Sequence, residues 1–173
     1  MSRDPDRAPW AEAGAADGRP PRSRAGAVYV EFLIAFLPIF FFFLGLVQLA
    51  FVQTANLIVK HSATKAVRAA VVVLPDDPQF YGGVPVGSFT GQRQTDIERA
   101  AQIPLATLGL AEAATAKVTL DTAYSRNALL TAKVEYQYHC KVPWGRFVVC
   151  GLTNFKTISG QATMTAQGAL YEY

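Results

Sequence analysis

At 173 residues the chain has room for one membrane segment and one small domain. Its apolar fraction of 51% is inflated by one Phe-rich run, and a net charge of +3, thinly scattered, leaves no footprint for nucleic acid. The bases that do group, Arg19, Arg22 and Arg24 before the run and Lys60, Lys65 and Arg68 after it, are placed to meet phospholipid headgroups.

Residues 1–24 are rich in Pro, Arg, Ala and Asp and show no apolar period, so they cannot offset the entropy of ordering. They read as disordered, either a cytoplasmic tail or a leader that is cut off. Residues 32–59 then contain no charge, and residues 33–46 are almost unbroken hydrocarbon. A bilayer core needs roughly 20 such residues in a helix. The run is longer than a secretory h-region, and no small-x-small site closes it, so a retained span is expected. The closer basic cluster, on the N-terminal side, favours an N-terminus inside. Pro38 removes a backbone hydrogen bond within the span and predicts a kink at residues 34–38.

The helix is expected to continue beyond the bilayer. Val59, Ala63, Ala66, Val67, Ala70 and Leu74 form one apolar stripe, while His61, Thr64, Lys65 and Arg68 repeat on another face. Pro75-Asp76-Asp77-Pro78 ends it. A helix over residues 27–74 would be about 70 Å long, of which the hydrocarbon takes about 30 Å. Residues 76–91, dense in Gly and Pro, read as a surface loop. Thr95-Asp96-Ile97-Glu98 matches a capping box, which predicts a short helix to about residue 102, disturbed by Pro104 and resuming to Leu108.

Three segments alternate strictly. Val118 and Leu120 form one apolar set, Leu130, Ala132, Val134, Tyr136 and Tyr138 a second, and Ile158, Ala162, Met164 and Ala166 a third. Period-two patterning predicts strands with one buried face, with a turn at Ser125-Arg126-Asn127. The stripe on the protruding helix is the natural cover for that face. The fold class is thus α+β, a long N-terminal transmembrane helix extending into a small antiparallel sheet domain.

Catalytic signals are lacking. No phosphate loop, G-x-S-x-G or H-E-x-x-H occurs, and His61 and His139 fall in different elements, too isolated for zinc. No cofactor is expected. Cys140 and Cys150 enclose nine residues with Pro143-Trp144 near the tip. In an exported domain they read as one disulfide, contributing somewhat under about 3 kcal/mol by loop entropy. A partner contact at Trp144 and a reactive thiol pair are the other readings. Glu31 is the anomaly at the head of the span. A carboxylate at mid-bilayer costs on the order of 2.5–3.5 kcal/mol, and less near the edge. It either reaches the headgroups or pairs with a cation from elsewhere, such as the amine that cleavage between Gly26 and Ala27 would create one turn away.

The stretch Arg24-Ala25-Gly26-Ala27-Val28-Tyr29-Val30-Glu31-Phe32, with Leu37-Pro38 soon after, resembles the class III signal of type IV pilins. More narrowly, it resembles the TadE/TadG-like minor pilins, or pseudopilins, of tight-adherence (Flp, type IVc) pilus systems. Ala66-Val67-Arg68-Ala69-Ala70 and Gln161-Ala162-Thr163-Met164-Thr165-Ala166 are similar to that family too, though residues 24–74 carry the specific part. The resemblance implies that a prepilin peptidase cuts after Gly26, leaving Ala27 as the mature N-terminus. Glu31, beside Phe32, would then pair with the amine of a neighbouring subunit and set the assembly register.

The expected organisation is a leader over 1–26, a transmembrane helix over 27–52, a protruding helix over 53–74 and an exported α+β domain over 75–173. The protein would sit once across a bacterial inner membrane, with its N-terminus cytoplasmic and its C-terminal domain periplasmic or carried into the pilus. Its partners would be the prepilin peptidase, other Tad pilins and pseudopilins, the inner-membrane assembly platform and the lipid bilayer. The alternatives are an unprocessed single-pass protein with a periplasmic binding module and, with no sequence feature behind it, an envelope enzyme.

Overall fold

The computed structural model describes residues 25–121, 124–125 and 127–166. The leader over residues 1–24 and Arg126 of the expected turn lie outside them. The chain forms two units, Met1–Ile39 and Phe40–Tyr173.

The described part of the first unit is helical throughout. It belongs to α1 (Ala25–Val73), a helix that starts before the expected residue 27 and is continuous through Pro38. Pro38 has no N–H to offer the Ile34 carbonyl, so the ladder lacks one bond there. Val28, Tyr29, Val30, Phe32 and Ile34 are all exposed. An 18-residue stretch of α1 has a mean hydropathy of 2.5 with none of it buried, so the helix is long and apolar enough to cross a membrane.

In the second unit, the stripe Val59, Ala63, Ala66, Val67, Ala70 and Leu74 is fully buried, while His61, Lys65 and Arg68 are exposed. The expected periodicity is therefore the packed one. The stripe also starts earlier, with Gln48, Val52 and Ala55 buried, so the domain covers helix that the sequence assigned to the span. Burying a valine contributes about 1.5–3 kcal/mol. The alanines contribute less area, but they let neighbouring backbones approach. Leu74 donates back to the Ala70 carbonyl (3.0 Å), and Pro75 ends the ladder.

The sheet has three antiparallel strands in the order β1 (Lys117–Leu120), β2 (Leu129–His139) and β3 (Phe155–Thr165). Leu130, Ala132, Val134, Tyr136 and Tyr138 of β2 all point into the core, as the alternation requires. Ile158 of β3 joins them, whereas Met164 near the strand's end is exposed. Register pairs Val134 with Gly160 and His139 with Phe155. In the turn, the Ala128 amide donates to the Ser125 carbonyl (3.1 Å), and Asn127 takes φ 64°.

Between α1 and the sheet lie α2 (Gly91–Leu105) and the one-turn α3 (Leu110–Ala113). Here the capping-box expectation fails. The helix begins at Gly91 after an extended Thr90, and the Thr95 hydroxyl donates to the Gly91 carbonyl (3.1 Å) from inside the helix. Glu98 accepts from Gln94 rather than from a free amide at Thr95 (2.7 Å). Pro104 falls in the last turn, where its missing amide costs one bond and bends nothing after it. The helix runs past residue 102 without a break and does not resume to Leu108, which closes a turn on Leu105 (2.9 Å). The loop over residues 76–91 contains one 3-10 turn, Pro78–Tyr81, capped by the Asp77 carboxylate on the Gln79 amide (2.9 Å).

Candidate functional site

The candidate processing site sits in the opening turns of α1. Gly26 is exposed, and a Cβ built on it meets nothing within 4 Å. No contact within the described chain therefore requires glycine there. The first four amides of a helix have no partner within it, and glycine has the weakest helix preference after proline, so the first turn of α1 opens readily. The backbone of Ala27 is helical.

Glu31 lies one turn further on and is exposed. Its helix neighbours three and four residues away are Ala27, Val28, Ile34 and Ala35, none of which can answer a charge. No ion pair reaches it among the described residues. Gly26, Val30, Glu31, Ile34 and Ala35 together make a shallow apolar face with one carboxylate on it. Beside it, the Phe32 ring stacks on Phe36, with centroids 5.5 Å apart and planes 13° apart. Among the described residues the arrangement has no acid–base partner. What it presents is one unanswered anion on hydrocarbon.

The second feature is the connection between β2 and β3. Cys140 and Cys150 are bonded, with Cα atoms 6.6 Å apart. The closed loop contains a short helix α4 (Gly145–Val149), followed by a 3-10 turn at Gly151–Thr153. Gln48 of α1 holds it, since its side-chain oxygen accepts from the Val142 amide (2.9 Å). A Cβ on Gly145 would come 2.5 Å from the Leu44 carbonyl oxygen, so the loop backbone lies directly on α1.

Among the described residues, no group of three His, Cys, Asp or Glu could hold a metal ion. His61 is exposed on α1, while the His139 ring lies tilted at 52° against Phe155 (5.0 Å between centroids) at the end of the sheet. Tyr136 donates to Glu112 (3.2 Å), and burial, then the nearby carboxylate, pushes its hydroxyl well above the usual tyrosine range. It is a neutral core group.

Three buried polar residues escaped the sequence reading. Gln48 is one. Ser62 donates to the Ala101 carbonyl (2.6 Å) and ties α1 to α2. Arg93 is fully buried, its guanidinium donating to the carbonyls of Val73, Leu74 (3.2 Å), Asp76 (2.8 Å) and Val84 (3.3 Å). For Gln48 and Ser62 a signal existed, because both fall in phase with the apolar stripe. Comparison with protein-family profiles, with curated proteins and with solved structures finds no match to the chain.

Proposed function

We propose that the chain is a minor pilin or pseudopilin of a Tad (Flp, type IVc) pilus, cut after Gly26 by a prepilin peptidase and anchored in the inner membrane by α1. The observation that carries this reading is the pairing of two unexplained residues at a fixed spacing. Among the described residues Gly26 answers no packing need, and Glu31, five residues on, is a carboxylate with no ion-pair partner on an otherwise apolar helix face. Cutting between Gly26 and Ala27 makes an amine, and a neighbouring subunit's amine is a cation of the right kind for Glu31. The pilin-like arrangement is a long apolar helix carrying a small antiparallel α+β domain, which contacts other pilins and the assembly platform.

In the native cell, Gly26→Arg should leave a precursor that keeps residues 1–26, seen as slower gel mobility and confirmed by N-terminal sequencing. A wild-type chain that itself retains residues 1–26 would instead identify an unprocessed single-pass binding module. Glu31→Ala should be cut normally yet strongly reduce piliation, because the side chain acts after processing. Full piliation in that variant would remove the register role from Glu31.

A further inference from the structure

The disulfide-closed loop and the 3-10 turn after it carry more exposed apolar surface than a connection in water needs. Trp144 is 61% exposed, Val148 77% and Leu152 90%, and Phe147 is exposed beside them. Single exposed apolar residues are ordinary, but a contiguous group marks a contact. Three of the rings are contiguous, as Trp144 lies 6.2 Å from Phe147 and 5.5 Å from Phe41 of α1. Next to it, Phe41, Phe42, Gly45, Leu49, Val148 and Lys156 help line an apolar groove of about 500 Å³ with the one cation at its rim.

The backbone adds an independent sign. Trp144 has φ 65° and ψ −47°, and the Gly145 amide donates to the Pro143 carbonyl (2.7 Å). That is a γ-turn of the positive-φ kind, rare and strained for any residue with a side chain. The strain is held by the disulfide and by Gln48, yet it leaves the largest side chain of the loop facing outward. Packing among the described residues does not explain that.

Charge and position identify what covers the surface. Residues 136–166 contain Lys141, Arg146 and Lys156 and no Asp or Glu, while the carboxylates of residues 53–166 all fall within 76–135. Lys141 is engaged, donating to the Leu108 carbonyl (2.9 Å). No ion pair reaches Arg146 or Lys156 among the described residues, and the half-buried Arg146 guanidinium lies 5.1 Å over the Phe147 ring. Counted from residue 27, a span of roughly 20 residues ends near residue 46, so the groove over residues 41–49 falls where the helix leaves hydrocarbon. Aromatic rings belong at that level, with lysines reaching from it to phosphate.

We propose that the loop is a second membrane contact, a rigid foot that lies in the interface of the leaflet from which the domain emerges. Trp144, Phe147 and Val148 enter the acyl boundary, a phospholipid chain occupies the groove over Gly45, and Lys156 and Arg146 face the phosphates. A second copy of the same loop fits the surface less well, because it brings like charge. The proposal rests on α1 spanning the bilayer and is independent of the pilus role.

The test uses the full chain with Trp10→Phe, which leaves Trp144 as the one tryptophan, in vesicles of phosphatidylcholine and phosphatidylglycerol. Lipids brominated near the headgroup should quench Trp144, and lipids brominated near the chain ends should quench it less. Carbonate washing supplies the control. If the chain resists carbonate but no bromine position quenches, the foot is overturned and the span stands. If emission responds to the protein-to-lipid ratio but not to bromine, a second copy covers Trp144 and the proposal again fails. Release by carbonate overturns foot and span together.

Discussion

Replacing Arg93 with methionine should destabilise the C-terminal domain by about 3–5 kcal/mol, because it strands several buried carbonyls at once. A helix leaves its last carbonyls without partners, and they carry the negative end of the dipole. α1 has no basic residue in its last turn. Arg93, projecting from α2, supplies the cation, with donors on the carbonyls of Val73, Leu74, Asp76 and Val84 and its guanidinium carbon 4.4 Å from the Tyr81 ring centroid. One side chain thus closes α1, pins the loop over residues 76–84 and locates α2. Lysine should recover only part of the loss, since an ammonium lacks the planar fork that reaches four oxygens. Urea titration of the full chain in detergent should show a lower midpoint at unchanged slope. A loss under about 1 kcal/mol would mean that water answers those carbonyls and that Arg93 is not the clasp.

That residue also marks the limit of what the sequence made legible. The stripe from Val59 to Leu74 and the alternation from Leu130 to Tyr138 could be read because burial imposes a local period on each element, and both faces pack as read. Arg93 could not, since an arginine in a mixed helix looks the same whether it faces water or the end of another helix. Gln48 was absorbed into the apolar run, although its in-phase position with Val52 and Ala55 was a usable sign of cover. Thr95 and Glu98 misled for a physical reason. The same two side chains satisfy one another's neighbours inside a helix as readily as at its start, and only the extended Thr90 distinguishes the cases. Gly26 and Glu31 are the reverse. Their spacing is plain in the sequence, and the structure adds that neither is explained by contacts among the described residues.

Gly160→Val provides the second large effect, and here the sign itself is the test. By local preference the change should help, because valine favours strands and glycine weakens them, and removing glycine stiffens the unfolded chain by about 0.4–1 kcal/mol. Packing argues the other way. A Cβ at Gly160 would stand 2.9 Å from the Val59 carbonyl oxygen and 3.0 Å from the Lys60 Cα and amide nitrogen, all backbone of α1. No flexible side chain is there to yield. β3 must lift from the helix, and the valine methyls widen the gap, loosening Ile158 and the Val59–Ala63 part of the stripe. We expect a net loss of about 3 kcal/mol or more, the upper end of overpacking costs. Ser159→Val is the matched control. It lies on the opposite, exposed face of the same strand opposite Glu135, so it should be neutral or slightly stabilising. If Gly160→Val matched that control, β3 would stand clear of α1. If it unfolds the sheet while α1 stays helical, the close approach at Val59 and Lys60 is what clamps the strand and the loop leading into it to the anchor.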